Sequence, residues 1–255
     1  MKLWQIMGEL QTIFSPKIAE DWDNVGLLVG DNTREINKVL FCLDVTEKAV
    51  QKAVDNNVDL IISHHPVIFS GLKKITNETV HGRKILKLIE NKIAVYSIHT
   101  NSDFAINGLN DFIMDKLNLD GEKVIFNEHE FEDYNPIKNK MEHVRGGLAR
   151  IKILNEKMKL GDLIERIKDS LGISYVRYVG NKNSYVRKIG LVTGGGSSFM
   201  YEVANKIDVF LTGDLRYHEA LDALEEGHIL VDIGHFESEY LFVDMMEQEM
   251  GKFFK

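Results

Sequence analysis

Apolar residues along this chain fall into two kinds of run. Leu3, Trp4, Ile6, Met7, Leu10, Ile13 and Phe14 recur at helical spacing, and Ser15-Pro16 breaks that pattern before an apolar strand that closes at Gly30. Short unbroken apolar runs then alternate with amphipathic ones: a strand at Val39 to Leu43, a helix at Glu47 to Asn56, a strand at Leu60 to Ser63, a helix at Gly82 to Asn91 and a strand at Ile93 to Ile98. Strands that are apolar on both faces need helices on both sides, so this alternation predicts an α/β layer with parallel strands. A further helix is predicted from Gly108 to Leu117, with Asn107 as its N-cap.

The middle reads differently. Glu128 to Glu142 is polar and charged with no clear period, and Gly147 to Ile153, Leu160 to Leu171 and Tyr175 to Val179 suggest a small β-α-β module. From Lys188 the first pattern returns, with strands at Ile189 to Val192, Val209 to Thr212 and Ile229 to Ile233, and helices at Phe199 to Ala204, Tyr217 to Glu226 and Ser238 to Met250. The expected organisation is an α/β core of residues 1–127 and 188–255 carrying a smaller inserted α+β lobe at 128–187. No short-period repeat or low-complexity tract interrupts it.

Composition narrows the setting. With 255 residues, 44% of them hydrophobic, the chain can bury a sizeable core without disulfides. Its one cysteine, Cys42, lies within the run Val39 to Leu43 and reads as a buried structural thiol in a reducing, cytoplasmic compartment. No segment approaches the roughly 18 apolar residues of a membrane span, and Gln5, Glu9 and Gln11 interrupt any leader-like run, so membrane and secretion are not expected. Net charge is −8 with the two signs mixed, which offers no basic stripe to nucleic acid. Bound divalent cations would reverse that charge locally and leave room for an anionic small molecule.

The candidate chemistry sits where predicted strands end, the edge at which open α/β sheets place their sites. Leu60 to Ser63 empties into His64-His65-Pro66, and Pro66 stiffens the exit; consecutive extended residues point to opposite sides, so each ring could serve a different ion, or one could ligate while the other orients. Ile98 leads to His99-Thr100-Asn101-Ser102-Asp103, where Asp103 can bridge ions or merely cap a helix, and His99 reads as a supporting or substrate-facing group. His235 and Glu239 stand at i and i+4 on a predicted helix start, with Glu237 turned away; capping by Ser238 is the competing account. Asp214 and His218 share the same spacing and could act in acid–base or supporting roles. Gly194, Gly195 and Gly196 could bring backbone N–H groups to a phosphate, although they lack the Lys of a P-loop. Trp22 and Asp23 are accounted for by packing and an Asx-turn.

Together Trp22-Asp23-Asn24-Val25-Gly26-Leu27, Ser63-His64-His65-Pro66, His99-Thr100-Asn101-Ser102-Asp103, Thr212-Gly213-Asp214 with His218, and Gly234-His235-Phe236-Glu237-Ser238-Glu239 resemble the NIF-three-like family, labelled GTP cyclohydrolase I type 2 homologs. The resemblance runs in order over almost the whole chain. It implies a three-layer, two-lobed α/β fold with a metal site in the cleft between lobes, and two divalent ions per chain, zinc, iron, manganese or similar, held by His64, His65, Asp103, His235 and Glu239. It also implies assembly as a toroidal homohexamer. Longer members carry a large central insertion; the modest stretch from about Glu128 to Arg187 marks this chain as a short form.

Metal-activated water attacking a purine nucleotide is the reaction so expected, with His99, His218 or Asp214 relaying protons. A phosphoester or amide could use the same water. The alternative is a non-catalytic metal-binding scaffold that recruits partners. Polar groups in excess of a closed ligand shell, namely His99, Asp214 and His218, favour the enzyme.

Overall fold

The apolar runs of the first hundred residues form one sheet. Strands β1 (Gly26–Val29), β2 (Val39–Cys42), β3 (Leu60–Ser63) and β4 (Ala94–Ser97) lie in the order β1-β4-β3-β2. The βαβ connections make β2, β3 and β4 parallel, in register Leu60↔Ala94 and Cys42↔Ser63, and β1 closes the edge antiparallel to β4. Central β3 and β4 are buried at every position, which is why they carry no polar alternation. Helix α1 (Leu3–Ile13) buries Leu3, Ile6 and Leu10. Helices α2 (Glu47–Asp55) and α3 (Val80–Glu90) are capped by Thr46 and Thr79, whose side chains accept from Ala49 N and Gly82 N. Val50 and Ala53 of α2 and Leu88 of α3 close over Ile61 and Val95, each removed from water. Cys42 packs against this cluster, and burial, helped by Asp44, pushes its thiol up to about 12, so it is no nucleophile at neutral pH.

The computed structural model describes residues 1–251, which divide into two compact units. The first holds residues 1–105, 130–145 and the segment from Phe242; the second holds 106–129 and 146–241. Short helix α4 (Thr100–Phe104) belongs to the first unit. Among the described residues, no helix is long and apolar enough to cross a membrane.

The second sheet contains β5 (Glu122–Asn135), β6 (Lys140–Lys159), β7 (Arg177–Val179), β8 (Tyr185–Leu191), β9 (Val209–Thr212) and β10 (Leu230–Asp232), ordered β5-β6-β8-β9-β10-β7. Strands β8, β9 and β10 are parallel, and β6 and β7 run antiparallel to β8 and β10. The helices of this unit are α5 (Leu109–Lys116), α6 (Leu160–Leu171), α7 (Met200–Val203), α8 (Tyr217–Glu226) and α9 (His235–Glu239). Helix α10 (Phe242–Met250) returns to the first unit.

Five expectations change. Glu128 to Glu142 is not irregular: it lies in β5 and β6 and the turn between them, and β5 is exposed through Glu128 to Glu130, so ladder hydrogen bonds hold a strand that hydrophobic period does not reveal. The stretch 128–187 is not one lobe but is divided between the units, because β6 pairs with β8 (Ile151↔Gly190) and β7 with β10 (Val231↔Tyr178) in the same sheet as β9. Asn107 is left-handed, at φ 61°, and Gly108 occupies the N-cap of α5. The C-terminal helix is two helices, α9 and α10, and Phe199 to Ala204 is the single turn α7 flanked by 3-10 turns.

Candidate metal centre

In the first unit, the exits of β3 and β4 deliver three imidazoles to one place. His64, His65 and His99 each offer a ring nitrogen within 4.8 Å of the others'. Their centroids lie 5.0 Å (His64–His65), 5.1 Å (His64–His99) and 5.5 Å (His65–His99) apart, so the adjacent histidines are not splayed to opposite faces. His64 is fully buried beneath the Phe242 ring, centroids 5.0 Å apart. Asp103, buried in α4, places Oδ1 3.7 Å from His64 Nε2.

Each ring is oriented from behind. His64 Nδ1 lies 3.0 Å from Ile98 O; a carbonyl only accepts, so Nδ1 carries the hydrogen and, in the neutral ring, Nε2 carries the lone pair. His65 Nδ1 meets Asp44 Oδ1 at 2.9 Å, and His99 Nδ1 meets Asp23 Oδ1 at 2.8 Å. Asp23 is itself gripped by Thr100, whose backbone N and Oγ1 donate to Oδ2 at 3.1 and 2.6 Å. Asn101 staples the turn by donating to Phe14 O while accepting from His99 N.

Burial works to raise the Asp23 carboxyl, but hydrogen bonding and charge from His99, with the Thr100 donors, hold it down at about 2. A carboxyl depressed below its unfolded value near ~3.9 stabilises the fold above that pH, and the contribution disappears as pH falls through about 2. Asp23→Asn is therefore expected to lower unfolding free energy by about 1–2 kcal/mol at pH 7, with the gap to wild type closing towards pH 2 in urea titrations. A gap independent of pH would contradict this role.

The second unit repeats the device at the ends of β8, β9 and β10. His235 Nδ1 is 2.8 Å from Asp214 Oδ2, and Nε2 is 3.1 Å from Glu239 Oε2. Hydrogen bonding from Glu239, against burial and with help from Asp214, raises the His235 imidazole to about 9. Gly194, at φ 64°, makes room for that carboxylate: a Cβ there would stand 2.1 Å from Glu239 Oε1. Its N–H donates to Ser238 Oγ (2.9 Å), which in turn donates to His235 O (2.8 Å). Buried Asp232 braces two strand exits by accepting from Leu215 N and Gly234 N, and it pairs with Arg177.

Several sequence assignments shift. His99 belongs to the histidine group itself. Gly194 N–H is engaged by Ser238, so this glycine accommodates Glu239 instead of cradling a phosphate. Gly195 faces Asp214 and His235, and Gly196 is packed against Val192 and Thr212. Asp214 is left-handed (φ 56°) and precedes α8, so its spacing to His218 is not helical; His218 is exposed, with its ring against Tyr217 at 5.2 Å. Trp22 is 55% exposed instead of packed, and Asp23 orients a histidine. Asp44 was missed. The rule that found His64 could have found it, because Asp44 follows the exit of β2.

Imidazole Nε2 atoms backed by acceptors on Nδ1, with buried carboxylates beside them, form a donor set suited to first-row divalent ions. Over residues 1–255 the sequence matches the family described as Duf34/NIF3 (NGG1p interacting factor 3). The chain belongs to this family. It is 38% identical over 242 residues to a GTP cyclohydrolase 1 type 2 homolog of Clostridium perfringens, covering 94% of this chain and 87% of the relative. It is 32% identical over 252 residues to a NIF3 homolog of Schizosaccharomyces pombe, covering 96% and 87%. Its fold superposes on that of a Bacillus cereus protein related to NIF3 with a TM-score of 0.85 at 26% identity, covering 99% and 93% of the two chains. The mixed α/β fold with two sheets is thus that of the NIF3 family.

Proposed function

We propose that this chain is a metal-dependent hydrolase that uses two divalent ions, with His64, His65, Asp103, His235 and Glu239 as their ligands. Ring orientation carries the reading. In both units Nδ1 is held by an acceptor, and Nε2 of His64 and of His235 lies towards a buried carboxylate. When bound, the ions supply Lewis acidity, bringing the pKa of water towards neutrality and polarising the bond attacked.

The remaining work falls to the chain's own groups. Asp44 and Asp214 fix the tautomer and rotation of His65 and His235. His99, whose ring is fixed by the contact of Nδ1 with Asp23 beside His64 and His65, is the proton carrier. The names borne by relatives support a purine nucleotide as substrate, and a phosphoester or amide would use the same machinery. We further propose a toroidal hexamer in the cytoplasm. Light scattering is expected to give six chains; a monomeric mass would contradict that assembly.

The test is turnover of GTP and a phosphoester panel by protein stripped with chelator and reconstituted with zinc, iron or manganese. Turnover is expected only with metal, and is expected to fall at least ~100-fold in His65→Ala and Glu239→Ala with circular dichroism unchanged. Equal turnover by stripped protein would contradict the reading, and bound metal without turnover on any substrate would leave a metal-binding scaffold.

A further inference from the structure

Two large aromatic side chains stand half in solvent beside the histidine group of the first unit. Trp22 is 55% exposed and Phe69 is 53% exposed, with centroids 5.9 Å apart and planes tilted by 46°. Both meet His99 edge-on, at 6.1 Å for Trp22 and 6.4 Å for Phe69. Exposed Trp and Phe are costly to leave in water, and nothing in the core requires these two.

Their placement is fixed by polar groups. Asn24, two residues after Trp22, donates through Nδ2 to Ile68 O at 2.5 Å, which ties the loop carrying Trp22 to the loop carrying Phe69. Asp23, between Trp22 and Asn24, accepts from Asn24 N and holds both His99 and Thr100. The two rings are therefore anchored to the same hydrogen-bond network that orients His99. A flat π-bearing ligand gains most from such a preorganised pair, and its edge would reach the histidines.

We propose that Trp22 and Phe69 form a stacking platform for a planar heteroaromatic ring, a purine base, and so set the substrate class of the adjacent centre. The assignment rests on the hydrolase reading for its choice of a purine and on the ring geometry for its place. Stacking is tolerant of base identity because every base presents a π face, so guanosine and adenosine should both engage.

The experiment follows Trp22 fluorescence in full-length Trp4→Phe protein, where Trp22 is the remaining tryptophan, during titration with guanosine, adenosine, GTP and inorganic triphosphate. Saturable quenching by the nucleosides and GTP, but not by triphosphate, is expected, and Phe69→Ala should raise the Kd for GTP about tenfold while Phe69→Tyr restores it. Isothermal calorimetry on Phe69→Ala gives the same comparison without the reporter, and its thermal midpoint checks folding. Absence of quenching by both nucleosides, or an unchanged Kd in folded Phe69→Ala, would overturn the platform. Failure of the hydrolase reading looks different: nucleosides would still quench, but no metal-dependent turnover would follow. GTP turnover with an unchanged KM in Phe69→Ala would instead refute the platform and leave the hydrolase standing.

Discussion

Adding a single methyl group at Gly213 is expected to destabilise the protein by about 3 kcal/mol and to weaken the metal binding proposed for His235 and Glu239. A Cβ at this position would lie 2.6 Å from His235 N, 2.7 Å from Gly234 C and 2.8 Å from Gly194 O. All three are backbone atoms, so no flexible side chain can yield. Relief requires the β9 exit to part from the turns carrying Gly194 and His235, which breaks the Gly213 N to Gly194 O hydrogen bond (2.8 Å) and displaces the His235 ring. Gly172 separates this steric cost from a conformational one. It is left-handed at φ 66° with nothing within 4 Å of its missing Cβ, so Gly172→Ala should cost only about 1 kcal/mol. Urea unfolding of both variants makes the comparison; equal losses would show that the packing around Gly213 has been misread.

Arg150→Ala is the second large loss, at about 3–5 kcal/mol. This guanidinium is completely buried in β6, with Nε 2.9 Å from Asp111 Oδ2 and Nη1 donating to Gly147 O at 2.9 Å. Truncation leaves the buried Asp111 carboxylate with Lys123 on its other oxygen at 2.9 Å and opens a large cavity. The consequence reaches the candidate centre, because the neighbouring Asn110 accepts from Thr193 N and Oγ1 at 2.8 and 2.9 Å and so sets the turn that leads into Gly194. Arg150→Ala combined with Asp111→Ala removes the stranded charge. The double variant should lose less than the sum of the two singles, and strict additivity would argue against a coupled pair.

What the sequence revealed divides along physical lines. Leu60 to Ser63, Val209 to Thr212 and Tyr217 to Glu226 were legible to the residue, since runs buried on both faces and helices with one apolar stripe leave strong patterns. Strand β5 was not, because its exposed centre is held by backbone hydrogen bonds, and those have no side-chain signature. The same distinction holds at the candidate centre. His64, His65, His235 and Glu239 stand out as metal-seeking types at strand ends, and the chain places His64 with His65, and His235 with Glu239. Asp44 stands at a strand exit and lay within reach of the same rule, whereas Asp23 was hidden because its role is defined by a ring brought to it from 76 residues away. The distinction between Asp214 as an orienting carboxylate and as a helical neighbour of His218 depends on a left-handed backbone that composition does not disclose.

The proposed ligand set has a direct test in the metal content of gently purified protein, determined by elemental mass spectrometry on wild type, His65→Ala and Glu239→Ala. The dinuclear reading predicts about two ions per chain in wild type and loss of metal in both variants. A full complement of metal retained by Glu239→Ala, or no metal in wild type even after reconstitution with zinc, iron or manganese, would contradict it.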